Sequence, residues 1–254
     1  MNPENRETSY FNMPYNYKLT LSFIGTNYNG WQRQENGIGI QQVIEDKLSE
    51  FFKQNVTLIG CCRTDSKVHA LKHVSNFRTK TYKEPGEIKR YLNATLPRDI
   101  SVLSLEDVDY RFNARFDAKG KTYLYTVYTH PNPFLFGRGW YIDKKIDIIK
   151  MLEGIEVLKR HRNFLSLSKK GKYLREEIDL REVKLSFDGR LIQIEITASH
   201  FLRGLVRGIV GHLVAIGRSS LSLEEFDKII KEKNPEKGKF SAPAEGLFLK
   251  DVYY

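Results

Sequence analysis

Cysteine is scarce: the chain has two among 254 residues, the adjacent Cys61 and Cys62. Neither has the paired spacing of a zinc site or a disulfide framework, so no metal is expected and the chain reads as reduced and cytoplasmic. Long apolar runs are missing as well. The most apolar stretch, residues 205–216, is interrupted by Arg207, Gly208, Gly211 and His212 and falls far short of the roughly 20 residues a bilayer demands. No membrane span is expected. Residues 1–15 scatter Tyr10, Phe11 and Met13 among polar side chains and two prolines, Pro3 and Pro14, without the unbroken apolar core of a signal peptide. They read as a frayed tail. Acidic residues are outnumbered, 31 Asp and Glu against 41 Lys and Arg, and the net charge of +10 suits a polyanionic partner.

What is present is a regular alternation of element types. Residues 18–23 place Leu19, Leu21 and Phe23 on one face, the period of a half-buried strand, and turn formers follow from Gly25 to Gly30. Ile40, Val43, Ile44, Leu48, Phe51 and Phe52 have helical spacing; residues 56–62 then read as a buried strand. A strand at 74–77, a helix at 87–92 and a strand at 100–105 complete β-α-β-β-α-β. The second half begins again with a strand at 122–129 and a helix through Ile146, Ile149, Leu152, Ile155 and Leu158. Strands at 178–187 and 191–197 are joined by Asp188-Gly189, a strong hairpin signal. A helix at 201–216, another starting at Ser222 with Glu225 in capping-box position, and a strand at 247–253 close the chain.

This order predicts an α+β protein of two tandem ferredoxin-like, RRM-like βαββαβ units, with a tail at 1–15 and domains at 16–110 and 111–254. Spacing alone leaves open whether their sheets join; the expected arrangement is one shared mixed or antiparallel central sheet with helices on one face. Such units lend a sheet face to RNA in several unrelated modules, but the fold carries no function by itself.

Between Val157 and Arg175 stand seven basic residues, Lys159, Arg160, Arg162, Lys169, Lys170, Lys172 and Arg175, and no acidic one. The segment is a candidate phosphate-binding loop, with a plain solvated charge run as the alternative. A second cluster, Lys231, Lys233, Lys237 and Lys239, is diluted by Glu232 and Glu236 and fits an ordinary surface loop.

The densest polar signal is Cys62-Arg-Thr-Asp-Ser-Lys-Val-His-Ala70, where a buried strand gives way to a loop. A lone Asp there is usually a turn former or cap. Yet the stretch resembles the signature Gly-Arg-Thr-Asp-Ala-Gly-Val-His-Ala of the TruA family of tRNA pseudouridine synthases. Other landmarks resemble the same family in order and spacing. They are Tyr28-Asn-Gly-Trp-Gln-Arg-Gln34, Asn93 with Leu96-Pro-Arg-Asp-Ile100, Arg111-Phe-Asn-Ala-Arg115 and Lys121-Thr-Tyr-Leu-Tyr125. Towards the C-terminus come Phe201-Leu-Arg-Gly-Leu-Val-Arg207 and Ala242-Pro-Ala-Glu-Gly-Leu-Phe-Leu249.

The resemblance implies an isomerase that detaches an RNA uridine from ribose C1′, turns the base and rejoins it through C5, with no cofactor and no net redox change. It implies the tRNA anticodon stem-loop, positions 38, 39 or 40, as substrate and a homodimer that holds one tRNA. It makes Asp65 the nucleophile, a role for an ionised carboxylate, which aspartate ordinarily is at neutral pH. Arg207 becomes its cationic partner. From the residues alone, Arg207 on an apolar helix face either pairs with a buried carboxylate or snorkels to the surface. Tyr123 is implied to stack on the target uracil, whereas tyrosines of an alternating strand ordinarily just pack. A base inside a stem must be extruded, and Arg63 is the residue implied to fill the vacated stack. Leu247 in the closing strand joins the substrate contacts, with Lys67, Lys169, Lys170 and Lys172 on phosphate. His69 is read as structuring the loop.

The chain departs from the signature at Cys62, Ser66 and Lys67, where the family has Gly, Ala and Gly. If position 67 needs a positive φ, a lysine there carries strain of about 1 kcal/mol. A catalytically silent RNA-binding protein of the same fold, or one acting on another RNA, is the alternative. A glycoside hydrolase is disfavoured because Asp65 has no second acid in a nearby motif.

Overall fold

Alternation decides the first strand: Tyr17, Leu19, Leu21 and Phe23 are all buried on one face of β1 (Tyr15–Phe23). The computed structural model describes residues 14–171 and 176–254. Lys172 and Arg175 of the basic segment, and the predicted tail up to residue 13, lie outside the described residues, whereas Tyr15 already belongs to β1. Nine strands and five α-helices occur among the described residues, in keeping with the predicted α+β class. The chain divides into two compact units, one holding residues up to Ala118 together with Asp251–Tyr254, the other Lys119–Lys250.

In the first unit, β1 pairs antiparallel with both β3 (His69–Thr79) and β4 (Ile100–Val108), and β2 (Ile59–Gly60) pairs antiparallel with β3. Helix α1 (Ile40–Phe52) buries Ile40, Ile44 and Leu48, four residues apart, along one stripe. Its buried Glu45 is fully engaged. Oε1 accepts from the Leu58 amide at 2.9 Å and from Gln41 at 2.9 Å, while Oε2 accepts from Arg33 Nε at 2.9 Å. The strand expected at 56–62 is accordingly shorter, because the Leu58 amide is spent on a helix side chain rather than on the sheet. Helix α2 (Pro85–Thr95) opens on proline, which has no amide to leave unsatisfied, and buries Ile88 and Leu92. Asn93 brackets Val102 of β4, donating to its carbonyl at 3.1 Å and accepting from its amide at 2.8 Å.

In the second unit, β5 (Gly120–Tyr128) pairs antiparallel with β8 (Leu191–Ala198), which pairs antiparallel with β7 (Leu180–Phe187). The two-residue β6 (Trp140–Tyr141) runs parallel to β5. The β7–β8 hairpin turns at Asp188-Gly189 as expected: Gly189 has φ +94° and Asp188 Oδ1 accepts from the Arg190 and Leu191 amides at 2.9 and 2.7 Å. Those two bonds hold the Asp188 carboxyl below its usual pKa. Helix α3 (Ile148–Leu158) is capped by Asp147, and α5 (Leu223–Lys231) by Ser222, whose Oγ accepts from the Glu225 amide at 3.1 Å. Helix α4 (Leu205–Gly217) is buried at every position but Arg207, so it is a core helix rather than an amphipathic one. It starts four residues later than expected because Gly204 takes φ +74°, a left-handed conformation that ends any helix running in from residue 201. The last strand, β9 (Leu247–Tyr253), passes from the second unit into the first at Asp251.

Candidate active site

Asp65 stands in the loop between β2 and β3, and that loop is held by backbone atoms. The Trp31 amide donates to the Thr64 carbonyl at 3.1 Å and the Lys67 amide to the Tyr28 carbonyl at 3.4 Å. The Ser66 hydroxyl donates to the same Tyr28 carbonyl at 3.2 Å. The Val68 amide closes a turn on the Asp65 carbonyl at 3.2 Å. Lys67 occupies the third position of that turn with φ +66°, a conformation glycine is favoured for. The strain expected of a lysine here therefore applies. At the end of the loop the His69 ring is fully buried, and Nδ1 accepts from the Gly25 amide at 3.0 Å. The proton of a neutral ring is then on Nε2.

Two glycines let the 24–31 segment approach this closely. A Cβ on Gly25 would lie 2.0 Å from the Val68 carbonyl oxygen, and one on Gly30, which has φ +88°, would lie 2.5 Å from the Thr64 carbonyl oxygen. Both obstacles are backbone, so no side-chain rotation relieves them. Tyr28 anchors the far end: its hydroxyl donates to Asp99 Oδ1 at 2.7 Å, and burial, then the Asp99 carboxylate, push the phenol pKa up. The result is a half-buried Asp65 between an exposed Arg63 and an exposed Lys67.

Tyr123, Arg207 and Leu247 belong to the second unit. Tyr123 lies opposite Ile196 of β8, is 8% exposed, and meets the Phe201 ring edge-on at 4.9 Å. Tyr125, two residues on and so on the same face of β5, is fully buried and donates to the Pro243 carbonyl at 2.7 Å. Burial drives its pKa up, against the opposing pull of the Arg207 charge. Arg207, in the first turn of α4, is bound in both directions to one residue. Its Nε donates to the Ala242 carbonyl at 2.7 Å, and its own carbonyl accepts from the Ala242 amide at 2.9 Å. Leu247, the first residue of β9, is 6% exposed. Lys169 and Lys170 are exposed; the Lys169 amide donates to the Arg203 carbonyl at 2.8 Å, and Lys170 Nζ lies 3.3 Å from Glu236 Oε1. The structure thus gathers Arg63, Asp65 and Lys67 on one loop of the first unit, and Arg207 with Tyr125 and the 242–243 segment within the second. The Tyr125 anchor is a feature that sequence reasoning passed over as strand packing, and it shows only when residue 243 is brought to β5.

No helix among the described residues is long and apolar enough to cross a membrane. A family model described as tRNA pseudouridine synthase matches residues 20–117 and 150–254. A tRNA pseudouridine synthase A of Aquifex aeolicus is 38% identical over 245 residues, covering 93% of this chain and 98% of the relative. One from a Hydrogenobaculum species is 35% identical over 247 residues, 94% and 99% of the two chains. A tRNA pseudouridine synthase A 2 of Bacillus cereus is 36% identical over 246 residues, again 94% and 99%. With the Arg63-Thr-Asp65 loop held as described and likeness running over nearly the whole length, the chain belongs to the TruA family of tRNA pseudouridine synthases.

Proposed function

We propose that this chain converts uridine to pseudouridine in the anticodon stem-loop of tRNA, at positions 38, 39 or 40, as a cytoplasmic homodimer and without a cofactor. In the reaction the C1′–N1 bond breaks, the base turns, and a C5–C1′ bond forms. C5 gives up its proton and N1 takes one up, so substrate and product are isomers. Asp65 supplies the nucleophilic oxygen to a base drawn out of its stem, and Arg63 takes the vacated place in the stack. Tyr123 offers its ring to the uracil, Arg207 a positive charge that favours an ionised carboxylate, and Leu247 an apolar contact. Lys67, Lys169, Lys170 and Lys172 meet phosphates.

The observation that carries this reading is the Asp65 loop. A catalytic carboxylate must be reachable and yet fixed, and Asp65 is half-buried on a turn tied through Thr64, Ser66 and Lys67 to the Tyr28–Trp31 segment. The test is tritium release from tRNA carrying 5-tritiated uridine. The native protein should release tritium, and Asp65→Asn should be slower by more than about 10³-fold while still binding tRNA. Binding without release by the native chain would mark a silent RNA-binding protein. Release by Asp65→Asn at the native rate would overturn the nucleophile.

A further inference from the structure

Beneath the Asp65 loop, the pairing of β2 with β3 brings two thiols and an imidazole together. Gly60 lies opposite Ser75, and the Cys61 amide continues the ladder by donating to the Val74 carbonyl at 2.8 Å. This sets the thiols of Cys61 and Cys62 beside the ring of His73. The two sulfurs are 3.7 Å apart and not joined in a disulfide, and one donor atom from each of the three residues falls within 4.8 Å of the others. We propose that Cys61, Cys62 and His73 form a binding site for a thiophilic divalent cation, of which Zn²⁺ is the type.

The dimensions suit such an ion. Two thiolates at about 2.3 Å from zinc, with a tetrahedral angle between them, stand about 3.8 Å apart, close to the 3.7 Å observed. The sulfur-to-nitrogen separation in the same geometry is about 3.6 Å, so with the donors within 4.8 Å of one another the imidazole approaches by at most about 1.2 Å. Charge also balances, because two thiolates neutralise the dication and nothing ionic is left unpaired in a buried place. Cys61 is 2% exposed and His73 not at all. Cys62 is partly exposed, which gives the ion an entrance and leaves a fourth position for water.

The surroundings supply the second hydrogen bond that a ligating imidazole keeps, and the nitrogen that takes the ion gives up its present contact. His73 stacks on Trp31 with centroids 3.7 Å apart, and its two nitrogens face the Cys62 carbonyl at 3.1 Å and the Ser75 hydroxyl at 3.3 Å. A carbonyl only accepts and a hydroxyl does either. Whichever nitrogen takes the ion, the other keeps a partner for its proton. The expectation of no metal came from spacing along the chain, which cannot register a third ligand supplied across a strand pair. Bound there, the ion ties the residue before Arg63 to the middle of β3 and acts as a clamp at the base of the loop, outside the chemistry itself.

The chain has only these two thiols, which makes the test direct. Full-length protein, reduced and stripped with a chelator, is titrated with Cd²⁺ and separately with Co²⁺. Cadmium should give a thiolate-to-metal charge-transfer band that saturates at one equivalent, and cobalt the visible bands of a tetrahedral site. Cys62→Ser, at the partly exposed position, should lose about half the band and bind at least about 100-fold more weakly. His73→Gln should keep the band and lose affinity; if it does not fold, Cys62→Ser carries the test. Absence of a charge-transfer band, saturation at two equivalents, or equal affinity in native protein and Cys62→Ser overturns the proposal. Asp65→Asn should bind cadmium as the native chain does, which separates this site from the catalytic reading.

Discussion

Replacing Gly30 with alanine tests whether close backbone approach positions Asp65. The new methyl must sit 2.5 Å from the Thr64 carbonyl oxygen, 3.1 Å from the Asp65 carbonyl carbon and 3.2 Å from the Ser66 amide nitrogen, at φ +88°. A left-handed conformation costs an L residue about 1–2 kcal/mol. Overlap with backbone that cannot rotate away adds about 1–3 kcal/mol, and the stiffer unfolded chain returns about 0.4–1 kcal/mol. The net is a loss of about 1–4.6 kcal/mol, readable as a lower urea midpoint with an unchanged slope. The larger effect should fall on turnover, because the three atoms that must retreat belong to residues 64–66. A displacement near 1 Å costs on the order of 100-fold in rate. Gly86→Ala is the matched control: it lies in the first turn of α2, where a Cβ meets only Arg90 Nη1 at 3.8 Å. That variant should gain about 0.4–1 kcal/mol and release tritium at the native rate. If Gly30→Ala melts and turns over like the native chain, the two segments do not hold each other and the loop owes its position to something else.

Two further outcomes follow from the charges. His212 is buried in α4, its Nδ1 donating to the Gly208 carbonyl at 2.7 Å, and burial lowers its pKa below 6.5. The unfolded chain therefore takes up a proton that the folded chain refuses, so stability is full above about pH 6.5 and declines as the pH falls below it. Urea melts of the native chain and His212→Leu at stepped pH should differ by that acid-side slope, and identical slopes would show that His212 does not contribute. Neutralising Lys169 and Lys170, both exposed, should weaken tRNA binding and flatten its salt dependence by about 0.7–0.9 in log–log slope for each phosphate that is no longer neutralised. An unaltered slope would place those lysines in solvent.

The features legible in the sequence are those whose causes are local. The alternation of Tyr17, Leu19, Leu21 and Phe23 marks β1 because a strand's faces repeat every two residues, and Asp188-Gly189 marks a hairpin because few residue pairs adopt its turn. The shortened β2 was not legible: the amide of Leu58 goes to Glu45, thirteen residues earlier in a helix. Nor was the late start of α4, where Gly204 turns left-handed and a Cβ on it would lie 2.9 Å from Lys169 Cγ. The Cys61, Cys62 and His73 cluster depends on strand pairing and leaves no mark in spacing. At Asp65 the motif pointed to the loop, and the family's glycine at position 67 foretold the φ of Lys67, but the bonds that fix the loop come from residues 25–31.

Those bonds also account for how the loop absorbs its own departures from the family signature. Two of them, from Trp31 to Thr64 and from Lys67 to Tyr28, join backbone amides to backbone carbonyls, as does the loop's own bond from Val68 to Asp65. Such bonds are indifferent to side chains at 66 and 67, so serine and lysine enter without cutting any of them. Ser66 even adds a bond, its hydroxyl to the Tyr28 carbonyl at 3.2 Å. The cost at Lys67 is confined to one left-handed residue, about 1 kcal/mol, and its exposed side chain leaves the turn unobstructed. The strict demands fall instead on Gly25 and Gly30, which admit no Cβ, and on His69, whose ring nitrogen must accept the Gly25 amide. All three are present. A loop specified this way holds its aspartate in place while the side chains at 66 and 67 remain free to vary.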